Sequence, residues 1–230
     1  MLPPDTQSVR WHYFDTTTGL ETATAQTLLS AARSAIAERG AFHVVLAGGT
    51  TPRGVYCLLR DADADWSVWH IWYGDERCLP PDDPERNSRM AADTWLDHVA
   101  IPRAQIHAIP AERGARNAAA AYADALQAVG EFDLVLLGLG EDGHTASLFP
   151  GHDLGMDADA PAAIAVFNAP KPPPERVSLS ARRLNQSRQV LFLVAGASKQ
   201  DALKHWQDGA AIPAAVIAPE QGQTSIFIAT

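Results

Sequence analysis

Phe132-Asp-Leu-Val-Leu-Leu-Gly-Leu-Gly-Glu-Asp-Gly-His-Thr-Ala-Ser147 is an apolar run that empties directly into a glycine-rich turn. A strongly apolar stretch of this kind, closed by glycines, reads as a buried strand leaving a sheet. The same junction occurs twice more upstream. Residues 42–46 form a compact apolar strand ending in Ala47-Gly48-Gly49-Thr50-Thr51-Pro52. Pro52 suits the first turn of a helix that would turn Val55, Leu58 and Leu59 inward. Residues 69–73 form another strand, broken at Gly74-Asp75-Glu76-Arg77.

Helical spacing separates these strands. It predicts helices over 20–38 with Gly40 as the stop, over about 87–99, and over 115–129. Further strands are expected at 9–14, 176–180, 190–195, 214–217 and 225–228, with helix starts at Ala181 and near Ser198. The alternation predicts an α/β fold, with an open, largely parallel, Rossmann-like sheet flanked by helices. No internal repeat or linker is visible, so residues 1–230 are expected to form a single domain, with the proline-rich 169–174 as an ordered loop. In open sheets of this kind ligands sit beyond the carboxyl ends of the strands, where the polar clusters of this chain fall.

A chain of 230 residues with 47% hydrophobic residues has the make-up of an ordinary globular protein. The longest apolar runs fall well short of the roughly 20 residues a membrane span needs, and residues 1–6 lack the basic and apolar regions of a signal peptide. The cytoplasm is therefore the expected compartment. Cys57 and Cys78 suggest neither a disulfide scaffold nor a CxxC site, and both are expected as plain buried or half-buried thiols. A net charge of −9 argues against a broad basic surface for nucleic acid or anionic membrane, but leaves room for an anionic small molecule bound by a few local cations.

Five polar clusters carry the candidate chemistry. Gly48, Gly49 and Thr50, between strand and helix, let backbone N–H groups and a helix terminus approach an anion; a tight turn with a threonine cap fits the same letters. Arg77 at a strand end is a planar fork suited to phosphate or carboxylate, and is equally suited to an ion pair with Asp75 or Glu76. Gly138, Gly140 and Gly143 spell G-x-G-x-x-G, but the dinucleotide reading fails. Asp142 would oppose a pyrophosphate, Pro150-Gly151 stops any long helix, and no second strand with an acidic end follows at the expected distance. What remains is a glycine loop presenting Asp142 and His144, an imidazole suited to general base work beside a carboxylate able to orient it. His144 and His152 with Asp142 or Asp153 have no recognised metal spacing, so no metal is expected. A G-x-S-x-G nucleophile elbow is absent. The last two clusters, Arg176 to Asn185 and Ala195 to Lys199, place cations just past apolar strands, with Arg183 expected on the surface.

Taken in order, these segments resemble the 6-phosphogluconolactonase family, from about residue 42 to 204. GLGEDGHTASLFPGH (residues 138–152) and YGDERCLPPDDPERNSRMA (73–91) carry most of the likeness. The resemblance implies the fold shared with glucosamine-6-phosphate isomerases and hydrolysis of 6-phospho-D-glucono-1,5-lactone without an organic cofactor. It puts His144 at the catalytic base, with Asp142 beside it. Gly48, Gly49, Thr50, Arg77, Arg182 and Lys199 fall where the family binds the phosphate and nearby oxygens. The implied partner is a small phosphorylated sugar lactone, handled by a monomer or small homo-oligomer. The first loop departs from the commoner serine version, and the chain stops soon after Ile228 without the further segment usual in the family. The related glucosamine-6-phosphate isomerase/deaminase needs a glutamate five residues after the histidine, where Phe149 stands here. A non-catalytic sugar-phosphate sensor is the other alternative, but no basic helix-turn-helix accompanies this domain.

Overall fold

The computed structural model describes residues 9–229, so the expectation for residues 1–6 lies outside the described part. Strand β1 (Arg10–Phe14) leads into α1 (Thr17–Arg39). Local chemistry sets both ends of α1: the Thr16 side chain accepts the Gly19 N–H, and Gly40 takes a left-handed φ of 80° while donating to the Ile36 carbonyl. Leu20, Thr24, Leu28, Ala32 and Ala35 form its buried stripe. Then follow β2 (Phe42–Leu46), α2 (Thr50–Leu59), β3 (Trp69–Tyr73), the short β4 (Asp75–Arg77), α3 (Asn87–Thr94), α4 (Ala115–Ala125) and β5 (Leu134–Gly138). Strands β6 (Ala163–Val166) and β7 (Arg176–Leu179), helix α5 (Ala181–Leu184), β8 (Gln189–Ala195), α6 (Gln200–Gln207) and β9 (Gln223–Ala229) complete the order.

Six strands form one sheet in the order β1-β9-β8-β5-β2-β3, and every neighbouring pair is parallel. The expected α/β fold with a parallel sheet is what forms. The central strands are buried almost throughout, as sheets covered on both faces require. At about 1.5–3 kcal/mol for each fully buried Val or Leu side chain, these strands are a main source of cohesion. Two tyrosines secure the strand exits where the ladder stops. The Tyr56 hydroxyl donates to the Ala47 carbonyl and accepts its N–H just past β2. The Tyr122 hydroxyl of α4 does the same at Tyr73, the last residue of β3.

A second, antiparallel sheet, β4-β7-β6, was not anticipated from the sequence. Gly74 hands the chain from one sheet to the other: its N–H bonds the Leu46 carbonyl, and its own carbonyl accepts from Leu179. The strand expected over 214–217 is instead a 3-10 turn, Pro213–Val216. Pro213 has no N–H for a ladder, and the Ala214 N–H goes to the Gly143 carbonyl, bracing the glycine loop. The helix expected to reach residue 99 ends at Thr94, because Trp95 turns out of helical geometry to pack with Tyr56, Trp66 and Trp69. Two side chains also differ from expectation. Arg183 is buried with its guanidinium 3.9 Å above the Phe132 ring, and Cys57 is exposed. No helix among the described residues is long and apolar enough to cross a membrane.

Candidate active site

The carboxyl ends of β2, β3, β5 and β8 converge on a cavity of about 420 Å³. Gly48, Gly49, Thr50, Arg77, His144 and Lys199 all line it, so the structure brings together residues spread over 150 positions of sequence. Asp142 is not among the lining residues and reaches the cavity only through its bond to His144. Arg182 is not among the lining residues; its guanidinium bonds the Ala160 carbonyl at 3.1 Å.

The loop after β5 holds His144 by short-range contacts. Gly140 donates to the His144 carbonyl at 2.7 Å, and Gly143, with φ at 84°, donates back to Gly140. A Cβ on Gly140 would lie 1.9 Å from His144 Nδ1, so this glycine is what lets the ring fold back over the loop. His144 Nδ1 is hydrogen-bonded to Asp142 Oδ1, which also accepts the His144 backbone N–H at 3.2 Å. Partial burial works to raise the Asp142 carboxyl, but the ring and backbone bonds of His144 outweigh it and hold the group below its ordinary value. With Nδ1 engaged, Nε2 is the ring nitrogen free to exchange a proton. The buried Phe149 ring packs against the imidazole at 4.7 Å between centroids. No helix follows the three glycines, which agrees with rejecting the dinucleotide reading.

The cavity also carries a helix terminus and cations. Helix α2 begins at Thr50 with Gly49 before it and no side-chain cap, so its first N–H groups face the cavity without a protein acceptor from a capping side chain. Arg77 sits on β4, with one guanidinium nitrogen donating to the Glu85 carbonyl. Lys199 Nζ lies 3.9 Å from Glu141. Within a protein of net charge −9, these side chains make a local positive field.

Several supporting residues escaped the sequence reading. Glu76, fully buried, accepts the backbone N–H groups of Arg77, Asn87 and Ser88 and lies 3.4 Å from Arg86 Nε. It thus caps α3 from the strand carrying Arg77. Asp75 accepts from Asn87 Nδ2 and from the Ser147 hydroxyl, tying β4 to α3 and to the histidine loop. Asn87 in turn packs on Gly48, where a Cβ would meet its Oδ1 at 1.9 Å. Lys171, from the loop between β6 and β7, and Arg176, the first residue of β7, also line the cavity. Burial, with some help from Arg77, pushes the Arg176 guanidinium down, against the opposing effect of Asp75. Asp75, Glu76 and Arg176 lie inside the polar clusters, whereas Asn87 and Lys171 lie outside them, and most of the partners that define these roles sit on other elements. Among the described residues no group of three or more His, Cys, Asp or Glu is gathered to hold a metal ion.

The family model described as glucosamine-6-phosphate isomerases/6-phosphogluconolactonase matches residues 15–226. A 6-phosphogluconolactonase of Mycobacterium leprae is 38% identical over 213 residues, covering 84% of this chain and 85% of the relative. This chain belongs to the 6-phosphogluconolactonase family. It is accordingly an enzyme of a hydrolase family. A Synechocystis member is 43% identical over 178 residues, covering 74% of this chain and 72% of its own. The crystal structure of 6-phosphogluconolactonase from Thermotoga maritima superposes with a TM-score of 0.89 at 27% identity, covering 97% of this chain and 100% of that one. The cavity described above brings glycine-loop N–H groups, cations and the Asp142-paired His144 together at the strand ends of this family fold.

Proposed function

We propose that this protein hydrolyses 6-phospho-D-glucono-1,5-lactone to 6-phospho-D-gluconate, with His144 as the general base. The observation that carries the reading is the Asp142–His144 pair opening onto the same cavity as the uncapped α2 terminus, Arg77 and Lys199. The helix terminus and the cations bind the phosphate, placing the lactone carbonyl beside the imidazole. His144 Nε2 takes a proton from water as the oxygen attacks the carbonyl carbon. The tetrahedral oxyanion is stabilised by nearby N–H groups or a cation, the kind of electrostatic help that supplies several kcal/mol. Collapse breaks the bond to the ring oxygen, which recovers a proton from His144. The product carboxylic acid ionises at neutral pH, releasing one proton per turnover.

A strained δ-lactone already hydrolyses in water, so one oriented base and good positioning suffice, without nucleophile, metal or organic cofactor. Phe149 weighs against the deaminase reading. A buried phenyl ring packs on His144 at the position where ring opening would need a carboxylate. Action in the cytoplasm, as a monomer or small homo-oligomer and without nucleic acid or membrane, belongs to the same proposal. The test is a pH-stat assay of fresh 6-phosphogluconolactone beside an ammonia assay of glucosamine-6-phosphate, each with and without chelator. Rapid, chelator-resistant acid release from the lactone alone is expected; ammonia release, or loss of activity with chelator, sinks the reading.

A further inference from the structure

We infer that Lys171 is a further phosphate-binding residue, held at the cavity by Arg176, which acts as its positioning residue. The inference rests on the lactonase reading of the site and adds to it a cation from the second sheet. The connection between β6 and β7 contains Lys171-Pro172-Pro173-Pro174, three consecutive residues with no N–H to hold a loop in place. Arg176 supplies the missing donors. Its Nε bonds the Pro173 carbonyl at 3.1 Å, and one terminal nitrogen bonds the carbonyls of Lys171 at 2.9 Å and Pro172 at 3.0 Å. The side chain doing this is only 6% exposed, and its guanidinium lies 5.6 Å from the centre of the Phe149 ring, which packs on His144. Ala169 closes the loop with a 3.0 Å bond to the Pro174 carbonyl. The backbone carrying Lys171 is therefore fixed from the cavity wall, while its side chain is exposed and lines the cavity.

The other cations of the cavity have protein partners: Arg77 on the Glu85 carbonyl, Arg176 on the loop, Lys199 facing Glu141. The Lys171 ammonium has neither an ion pair nor a hydrogen bond among the described residues, its backbone carbonyl alone being held by Arg176. A flexible ammonium without a protein partner is the group best able to follow a phosphate as it arrives. Burying a guanidinium costs desolvation, which the three carbonyl bonds of the proline loop offset while they fix that loop at the cavity.

Steady-state kinetics of Lys171→Ala tests the first half. KM for the phosphorylated lactone should rise about ten- to a hundredfold, the worth of a charge-assisted hydrogen bond, with kcat changed less than about threefold. Lys171→Arg should recover most of the loss, and kcat/KM for unphosphorylated glucono-1,5-lactone should fall much less. An unchanged KM, or equal losses on both lactones, overturns the assignment. For the second half, Arg176→Lys keeps the charge and loses the fork. It should raise KM alone, yet add less than about twofold in the Lys171→Ala background; multiplying effects would show that Arg176 does not act through Lys171. Titration calorimetry with inorganic phosphate keeps the two readings apart. A wild-type chain that binds phosphate without hydrolysing the lactone refutes the proposed function, while Lys171→Ala binding phosphate as tightly as wild type refutes the inference.

Discussion

His144 owes its setting to three neighbours that each fix one property. Asp142 holds Nδ1, Phe149 packs on the face of the ring, and Gly140 clears the space the ring occupies. Removing the imidazole in His144→Ala should lower kcat by roughly 10²–10⁴-fold, the usual worth of a general base; near-wild-type turnover would take His144 out of the mechanism. Arg77→Ala should act on binding, raising KM for the phosphorylated lactone and barely changing it for glucono-1,5-lactone. Equal effects on the two substrates would mean that Arg77 does not read the phosphate. Both residues were legible because residue type and setting coincide: a histidine two positions from an aspartate in a glycine loop, and an arginine at a strand end. Arg182 and Arg176 were not separable in this way. They lie six positions apart in one basic cluster, and only tertiary contacts send the first to the Ala160 carbonyl and the second to the cavity wall.

At the scale of elements, the site is a set of strand exits kept open. Tyr56 and Tyr122 satisfy the backbone at the ends of β2 and β3, Glu76 caps α3 from β4, and the Pro213–Val216 turn braces the histidine loop. The glycine loop is the tightest of these pieces. In Gly140→Ala the new methyl would sit 1.9 Å from His144 Nδ1 and 2.7 Å from Asp142 Oδ1. The loop lies at the cavity rather than in the core, so the ring should be displaced while the fold survives. Turnover should fall by at least about tenfold, since small misplacements of reacting groups are costly, with a thermal midpoint within a few degrees of wild type. Full activity in this variant would show that the ring's position over Gly140 is not required. The main strands and helices were readable from their period, whereas β4 and β6 were not. β4 is only three residues and continues from β3 after one glycine, β6 lacks strong local strand signals, and both form their ladders on β7.

For the molecule as a whole, the charge distribution has a consequence away from the site. His43, His70 and His107 stack beside Trp72, with His70 Nδ1 3.3 Å from His107 Nε2. Burial holds all three below the ordinary imidazole value, with mutual repulsion adding for His43 and His107; Asp133 opposes the shift at His43 while Arg183 adds to it. His107 is pushed down to about 4. The unfolded chain takes up protons on these rings near pH 6.5, the folded chain only at lower pH. Stability should therefore be complete above about pH 7 and decline as pH falls toward about 4, because the unfolded state binds more protons there. Urea unfolding at about pH 7.5 and about pH 5 measures the drop. His107→Phe, which keeps a ring against Trp72 and cannot be protonated, should show a smaller one, and an unchanged drop would remove His107 from the linkage.

The sequence by itself determined the alternation of strands and helices, hence the parallel α/β fold, and the glycine, aspartate and histidine of the loop after β5. These depend on short-range chemistry: apolar period, glycine φ, and a carboxylate two residues from an imidazole. Only the tertiary structure decided which cations face the cavity, that Arg183 is buried, that residues 214–217 form a turn, and that a second sheet delivers Lys171 and Arg176. Each of those outcomes depends on partners far away in sequence, and no local pattern records where a folded chain will bring them.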